Sequence, residues 1–351
     1  MRPSASPLSL YLAAAYTLLA VYASLHPFAG WRDSGVDVFA FLRAGWPRYI
    51  QLADLPINLL AYVPLGFLWV PAFKPRLGRN SAVLLATLLG AILSLCMEVL
   101  QNYLPTRVPS NLDVALNTAG ALIGALAGAR WGGQLLDGGR LHALRVRQVR
   151  HGAMGDAGLM LLGLWLLTQL TPETLLFGNG DLRSLLGLDA PLPYDAGRFA
   201  EMEAAIVCAQ TMAVALLATR LGRTPALPPV MLLLVTALLL KTLVMALSLG
   251  TGRALAWTSP GGVIGLAGGV ALWLIASALP AALQKAVAAV ALLIATVLVN
   301  LAPDNPYLVN TWQTWSAGQF LNFHGLTKLT ATVWPFLALP WLMMLRTERK
   351  S

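Results

Sequence analysis

Ten stretches of 17 to 24 residues, each almost wholly apolar, run through this chain: 8–25, 55–73, 81–104, 111–131, 154–171, 200–221, 226–249, 261–279, 282–301 and 330–346. Their length decides the fold class. A hydrocarbon layer of about 30 Å is crossed by roughly 20 residues of α-helix. Within that layer every backbone amide and carbonyl needs a protein partner, which a helix supplies from its own segment. The runs therefore predict an all-α, polytopic transmembrane helix bundle of about ten spans, with the short break at Pro280 separating the eighth from the ninth. Composition agrees, since 57% of the 351 residues are hydrophobic and 11% are charged, against about 25% charged in a soluble domain. That deficit excludes a soluble enzyme. The opening "MRPSASPLSLYLAAAYTLLAVYASL" has the basic start of a signal peptide. Its apolar run is long and no small-residue cleavage site follows, so it reads as a retained first helix.

The net charge of +9 does not point to nucleic acid, because the basic residues are scattered over short loops. Threading the chain through ten spans sorts them by side. Arg2, Lys74, Arg76, Arg79, Arg130, Arg140, Arg145, Arg147, Arg150, Arg220, Arg223, Lys285, Arg346, Arg349 and Lys350 fall on one side. Arg32, Arg43, Arg48, Arg107, Arg183, Arg198, Arg253 and Lys328 fall on the other. Fifteen against eight makes the first side cytoplasmic by the positive-inside rule, with both termini inside. The basic run "RLHALRVRQVRHG" (140–152) is then explained by attraction to anionic lipid, about 1 kcal/mol per basic residue. Between the last two spans, Trp312, Trp315, Phe320 and Phe323 suit a segment lying in the headgroup zone, or alternatively a stacking site for a ligand.

Against this apolar background one hairpin is crowded with polar groups: "EVLQNYLPTRVPSNLDVALNTAG", residues 98–120. Glu98 and Gln101 lie in the last turns of the third span, three residues apart; Asp113 and Asn117 lie in the first turns of the fourth, four apart. Each pair shares a helix face. Asn58 lies near the outer end of the second span, and Arg107 sits in the connecting loop, so all six groups meet at the outer leaflet edge. Glu98 is about 9 Å below residue 104 at 1.5 Å per residue. A charge at that depth is costly unless it faces the protein interior and finds a partner, and the Arg107 guanidinium is the natural candidate. Two readings stay open. The groups form a functional cluster, or they are a folding clasp in which Ser110 or Asn111 caps the fourth helix, Asp113 suits its dipole and the amides are interhelical hydrogen bonders. Behind them, "NTAGALIGALAGA" (117–129) sets Gly120, Gly124 and Gly128 four residues apart, a stripe that lets a neighbouring helix approach closely.

At these residues the sequence resembles the VanZ-like family of integral membrane proteins. The matching pieces are "NLLAYVPLGFLW" (58–69), "EVLQNYLPTRVPSNLDVALNTAG" (98–120) and "ALIGALAGA" (121–129), and the resemblance covers roughly residues 10–135. It implies a bacterial inner-membrane protein of the cell envelope, related to proteins that lower sensitivity to teicoplanin-type lipoglycopeptides, an antibiotic-resistance context. It implies a site more readily than a reaction. Residues 1–135 are accordingly read as a VanZ-like membrane domain and residues 136–351 as an additional transmembrane bundle of five to six spans. No internal repeat is evident between the two parts.

The site reading assigns Glu98 and Asp113 as candidate proton acceptors, or as groups that orient Arg107. Asn58, Gln101, Arg107 and Asn117 would bind a membrane lipid headgroup, or a lipid-linked or lipoglycopeptide ligand. Whether the protein catalyses, transports or binds stays open, because no nucleophile accompanies the carboxylates. Two secondary candidates stand apart. Lys241 lies inside the seventh span, where a lysine is paired, neutralised or facing a polar cavity; Glu201 or Glu203, flanking the start of the sixth, is an available partner. His324, in "NFHGL", has aromatic neighbours. Four scattered histidines and two cysteines in apolar runs, Cys96 and Cys208, give no metal motif and no disulfide framework. "GLAGGVALW" (265–273) reads as packing rather than a phosphate loop. No metal or cofactor is expected. The orientation is testable alone: in intact cells Arg76→Cys, Arg145→Cys and Gly222→Cys should resist a membrane-impermeant thiol reagent, whereas Asp189→Cys should react. Labelling at 145 from outside would invert the topology.

Overall fold

Each of the ten apolar runs is helical over most of its length in a computed structural model, which describes residues 7–136, 143–303 and 321–345 apart from 27, 29, 34, 47–53, 106, 144, 146, 224 and 225. Among the described residues there is no strand beyond an isolated bridge between Val149 and Gly222. The aromatic segment from 304 to 320, with Trp312, Trp315 and Phe320, lies outside the described residues.

By internal packing the chain divides into two units: Met1–Arg145 with Ala317–Leu326, and Val146–Ser316 with Thr327–Ser351. The first holds α1 (Pro7–Leu25), α2 (Asp54–Leu77), α3 (Arg79–Gln101) and α4 (Asn111–Ala127), which runs on through a π-turn at Gly128–Gly132. The second holds α5 (Ala153–Thr168), α6 (Ala196–Leu221), α7 (Leu227–Leu249), α8 (Pro260–Ala276), α9 (Ala281–Leu301) and most of α10 (Leu321–Met344). By length and composition α3, α4 with its extension, α6, α7 and α9 can each cross a membrane, while α1, α5 and α8 are apolar but shorter. The helices α2 and α10 have 24 residues each and carry internal prolines, Pro64, Pro71 and Pro75 in the first and Pro335 and Pro340 in the second.

The distribution of side chains is that of helices in lipid. On α3 the buried positions are Ala82, Ala86, Gly90, Ser94, Met97 and Glu98, while Leu84 and Ile92 are 61% and 60% exposed. Small and polar residues face the protein and large apolar ones face outward. A helix in water shows the reverse; lipid tails offer a leucine as good a surrounding as a protein core does, and small residues are what allow backbones to meet. In the second unit α6 is the central helix, with buried positions from Phe199 to Leu221. Indole N–H groups tie its neighbours: Trp334 donates to the Leu161 carbonyl at 2.7 Å, Trp341 to that of Met154 at 2.9 Å, and Trp273 to Thr219 Oγ1 at 2.9 Å.

The closest approach in the first unit is α4 against α2. A Cβ built on Gly120 would stand 2.1 Å from the Leu59 carbonyl oxygen, on Gly124 1.9 Å from that of Val63, and on Gly128 2.5 Å from that of Phe67. From the other side, a Cβ on Gly66 would lie 2.0 Å from the Ala121 oxygen. No side chain fits at these distances, so the glycine stripe is required by backbone-to-backbone packing. Tyr16 Oη donates to the Ala61 carbonyl at 2.8 Å and Trp69 Nε1 to Thr17 Oγ1 at 3.0 Å, docking α1 on α2. Gly124→Ala should lower detergent-solubilised stability by at least about 1–3 kcal/mol, the usual cost of overpacking. Gly163→Ala, where a Cβ meets nothing within 4 Å, should be neutral or stabilising by up to about 1 kcal/mol. Equal melting shifts for the two would contradict the packing.

Candidate functional site

Helix ends explain most of the polar hairpin. An α-helix leaves its first amides and last carbonyls without internal partners, and its dipole favours anions at the start and cations at the end. At the start of α4, Ser110 is the N-cap, in extended conformation, and its Oγ accepts from the Asp113 amide at 3.4 Å. The Ser110 amide itself donates to Glu98 Oε2 at 2.8 Å. In a capping box that amide is taken by an acidic side chain three residues further on in the same helix. Here the acceptor comes from α3, twelve residues earlier in the chain. Glu98 is 3% exposed, so its carboxylate is held against the positive end of a neighbouring helix.

At the end of α1 the signs are reversed. Gln101 Nε2 donates to the Ser24 carbonyl at 2.9 Å, and Arg107 Nη2 to the His26 carbonyl at 2.9 Å. The Arg32 amide donates to the Tyr103 carbonyl at 3.0 Å, joining the loop after α1 to the same hairpin. Arg107 and Glu98 interact electrostatically, but among the described residues they make no direct ion pair. Burial draws the Arg107 guanidinium below the ordinary arginine range, and the Glu98 carboxylate opposes that shift; the group remains cationic at neutral pH. Its Nε is buried and has no hydrogen-bond partner.

One turn deeper, Asn117 on α4 donates through Nδ2 to Ser94 Oγ on α3 at 2.9 Å. Its Oδ1 is buried and unpaired. Tyr62, 4% exposed on α2, stands beside Ser94 and Glu98. Asn58 is half-buried, one turn before Tyr62, and Asp113 is half-buried and close enough to Glu98 for their charges to interact. Ser94 and Tyr62 extend the cluster beyond the residues expected from sequence. A signal for them was there, since Ser94 precedes Glu98 by four residues and Tyr62 follows Asn58 by four, each pair on one helix face.

Residues 4–131 match the model of the VanZ/LLP1 family. Neither a curated protein nor a solved structure matches the chain. The VanZ-like segment thus spans α1 to α4 and contains every member of the polar cluster. The two secondary candidates lie beyond it. Lys241 is fully buried on α7 and donates to the Thr171 carbonyl at 2.7 Å, the Thr174 carbonyl at 2.8 Å and Thr174 Oγ1 at 3.2 Å. Those acceptors use all three ammonium protons, so Lys241 secures the turn after α5 instead of pairing with Glu201 or Glu203. Glu203 lies against Ser259 and the first turn of α8. His324 falls on α10, and its side chain lies outside the described residues. Among the described residues no cluster of His, Cys, Asp or Glu could hold a metal ion.

Glu98→Ala would leave the Ser110 amide without its acceptor, a loss of about 1–3 kcal/mol, whereas Glu98→Gln keeps an oxygen in place and should cost less. With Arg107 bound to His26 rather than to Glu98, the double variant Glu98→Ala with Arg107→Ala should lose about the sum of the single losses, within roughly 0.5 kcal/mol. Strong non-additivity in thermal unfolding would show that the two charges form a clasp.

Proposed function

We propose that this is a membrane protein of the bacterial cell envelope whose polar hairpin recognises the anionic headgroup of a lipid or of a lipid-linked cell-wall ligand at the outer leaflet of the inner membrane. The observation that carries the reading is the state of Arg107. One of its five N–H donors is held by the His26 carbonyl, while the Nε–H is buried and unpaired. A fixed guanidinium with donors to spare suits a phosphate or carboxylate oxygen, which it takes up in charge-assisted pairs. Asn117 Oδ1, buried and unpaired, adds an acceptor for a hydroxyl or amide. Asn58 and Gln101 are half-buried polar neighbours in the same unit, and the positive-inside count supports the outer position. The family match supports an envelope role in the context of teicoplanin-type lipoglycopeptides. In an enzymatic version Glu98 or Asp113 takes a proton from the bound headgroup.

A second reading has its own observation: Glu98, Gln101 and Arg107 each bind main-chain atoms at a helix end, as a folding clasp would require. Native mass spectrometry of lipid co-purified with the full-length protein separates the two. If Arg107 holds the headgroup, Arg107→Ala should reduce retention of anionic lipid about tenfold or more, as expected for loss of a charged hydrogen bond of about 1.5–3 kcal/mol. Unchanged lipid retention with a lower melting temperature would assign Arg107 to the clasp. In an envelope-phenotype assay, Glu98→Gln that folds but is inactive favours proton chemistry; full activity removes it.

A further inference from the structure

We propose that α6 and α8 repeat, in the same register, the glycine-on-carbonyl packing by which α4 lies on α2 in the VanZ-like segment, without its polar site. No repeat stands out in the sequence; the correspondence lies in backbone register. In the first unit each stripe glycine meets a carbonyl 61 residues earlier: Gly120 and Leu59, Gly124 and Val63, Gly128 and Phe67. In the second unit α8 lies on α6 in the same way. A Cβ on Gly261 would stand 2.6 Å from the Ala200 oxygen, on Gly265 2.5 Å from that of Ala204, and on Gly269 2.6 Å from that of Cys208. The separation is again 61 residues, three times over, and the whole set is the first displaced by 141.

The same displacement aligns the sequence around the glycines and a buried position on the carbonyl helices. "NTAGALIGALAG" (117–128) falls on "TSPGGVIGLAGG" (258–269), with Gly120, Ile123, Gly124 and Gly128 matched by Gly261, Ile264, Gly265 and Gly269. Leu65 and Ile206, 141 apart, are both 0% exposed. The link between α1 and α2 contains a single helical turn at Ala40–Arg43, and the link between α5 and α6 contains one at Leu182–Leu185. Each link also has a phenylalanine in left-handed backbone, Phe28 at φ 60° and Phe177 at φ 59°, with a left-handed glycine shortly after it, Gly30 and Gly180, at displacements of 149 and 150 rather than 141. Among the described residues these are the only non-glycine positions with positive φ, a conformation that is rare for a bulky side chain. Moved by 141, the family match of 4–131 would begin at 145, beside the start of the second unit at Val146.

The differences between the copies fall on the site. α4 begins at Asn111, nine residues before Gly120, whereas α8 begins at Pro260, one residue before Gly261. The counterparts of 111–118 are 252–259, which run through a 3-10 turn at Thr251–Arg253 and a loop to the N-cap Ser259. The turns that carry Asp113 and Asn117 are therefore not helical in the second copy, and Ala254 and Thr258 stand in their places. Asn58 becomes Phe199. One residue, Gly78, separates α2 from α3, but 222–226 separate α6 from α7, so α7 begins 148 residues after α3 instead of 141. The counterpart of Glu98 is Leu239 by the glycine register or Ala246 by the helix start, and neither is a carboxylate. The second pair keeps the packing contact and lacks counterparts of Asn58, Asp113 and Asn117.

A register graft in the full-length chain tests this without reference to any ligand. Residues 258–269 are replaced by the sequence of 117–128, and in a control the same twelve residues replace 260–271, which moves every stripe glycine off its carbonyl; Gly262, whose Cβ would stand 2.7 Å from the Trp257 oxygen, is kept in both. Melting of the detergent-purified protein is the readout. The in-register graft should stay within about 5 °C of the parent, and the shifted graft should lose about 10 °C or more or fail to accumulate, given overpacking at three backbone contacts. Equal effects of the two grafts, large or small, would overturn the repeat.

Discussion

The contact on which the first unit depends is a row of glycine Cα atoms on α4 laid against a row of carbonyls on α2. Between helices in lipid there is no hydrophobic gain, since tails are as apolar as leucine. Association rests instead on close van der Waals packing and on weak Cα–H···O contacts, each worth about 0.5–1 kcal/mol. Gly120, Gly124 and Gly128 provide both, because a Cβ at any of them would fall within 2.5 Å of a carbonyl oxygen. The contact also fixes rotation. With the glycine face of α4 turned to α2, Asn117 is set against Ser94 on α3, and the N-cap Ser110 arrives at Glu98. The polar cluster is thus placed by residues that have no polar side chain.

On that frame the charges follow the helix ends. Glu98 sits at the amino end of α4 and Arg107 at the carboxyl end of α1, each where the dipole favours its sign. This accounts for a carboxylate that is 3% exposed without requiring a direct ion pair. It also means that each charge performs a structural task. Within the cluster the fold leaves hydrogen-bonding capacity unused at Arg107 Nε, Asn117 Oδ1 and Tyr62 Oη.

Much of this was legible in the sequence, and the reasons for the rest are specific. Helix positions were legible because bilayer thickness sets run length. The glycine stripe was legible because its spacing repeats each turn. Depth and spacing gathered Glu98, Gln101, Arg107, Asp113 and Asn117 at one hairpin, but depth cannot choose between acceptors. The partners turned out to be backbone groups, the Ser110 amide and the Ser24 and His26 carbonyls, which leave no mark in a residue string. Lys241 shows the same limit: a buried ammonium suggested a carboxylate, and three threonine oxygens answer it. The correspondence between the units was hidden because it lies in which backbone atoms touch, while most of the side chains around them differ.

The comparison of the two units separates scaffold from chemistry within one chain. Both place glycines four residues apart on a row of carbonyls, and both set a buried glutamate near the N-cap serine of the glycine helix, Glu98 at Ser110 and Glu203 at Ser259. The glutamates come from different helices, so the carboxylate follows the electrostatics of the helix start rather than a fixed sequence position. A buried glutamate there is thus insufficient evidence of a site, since the helix dipole explains it. What only the first unit adds is the two extra turns of α4 beyond the glycine contact, with Asp113 and Asn117, and the arginine loop that leads into them. Fold similarity transfers packing and leaves chemistry to local residues; the polar extension of α4 is where that local difference resides.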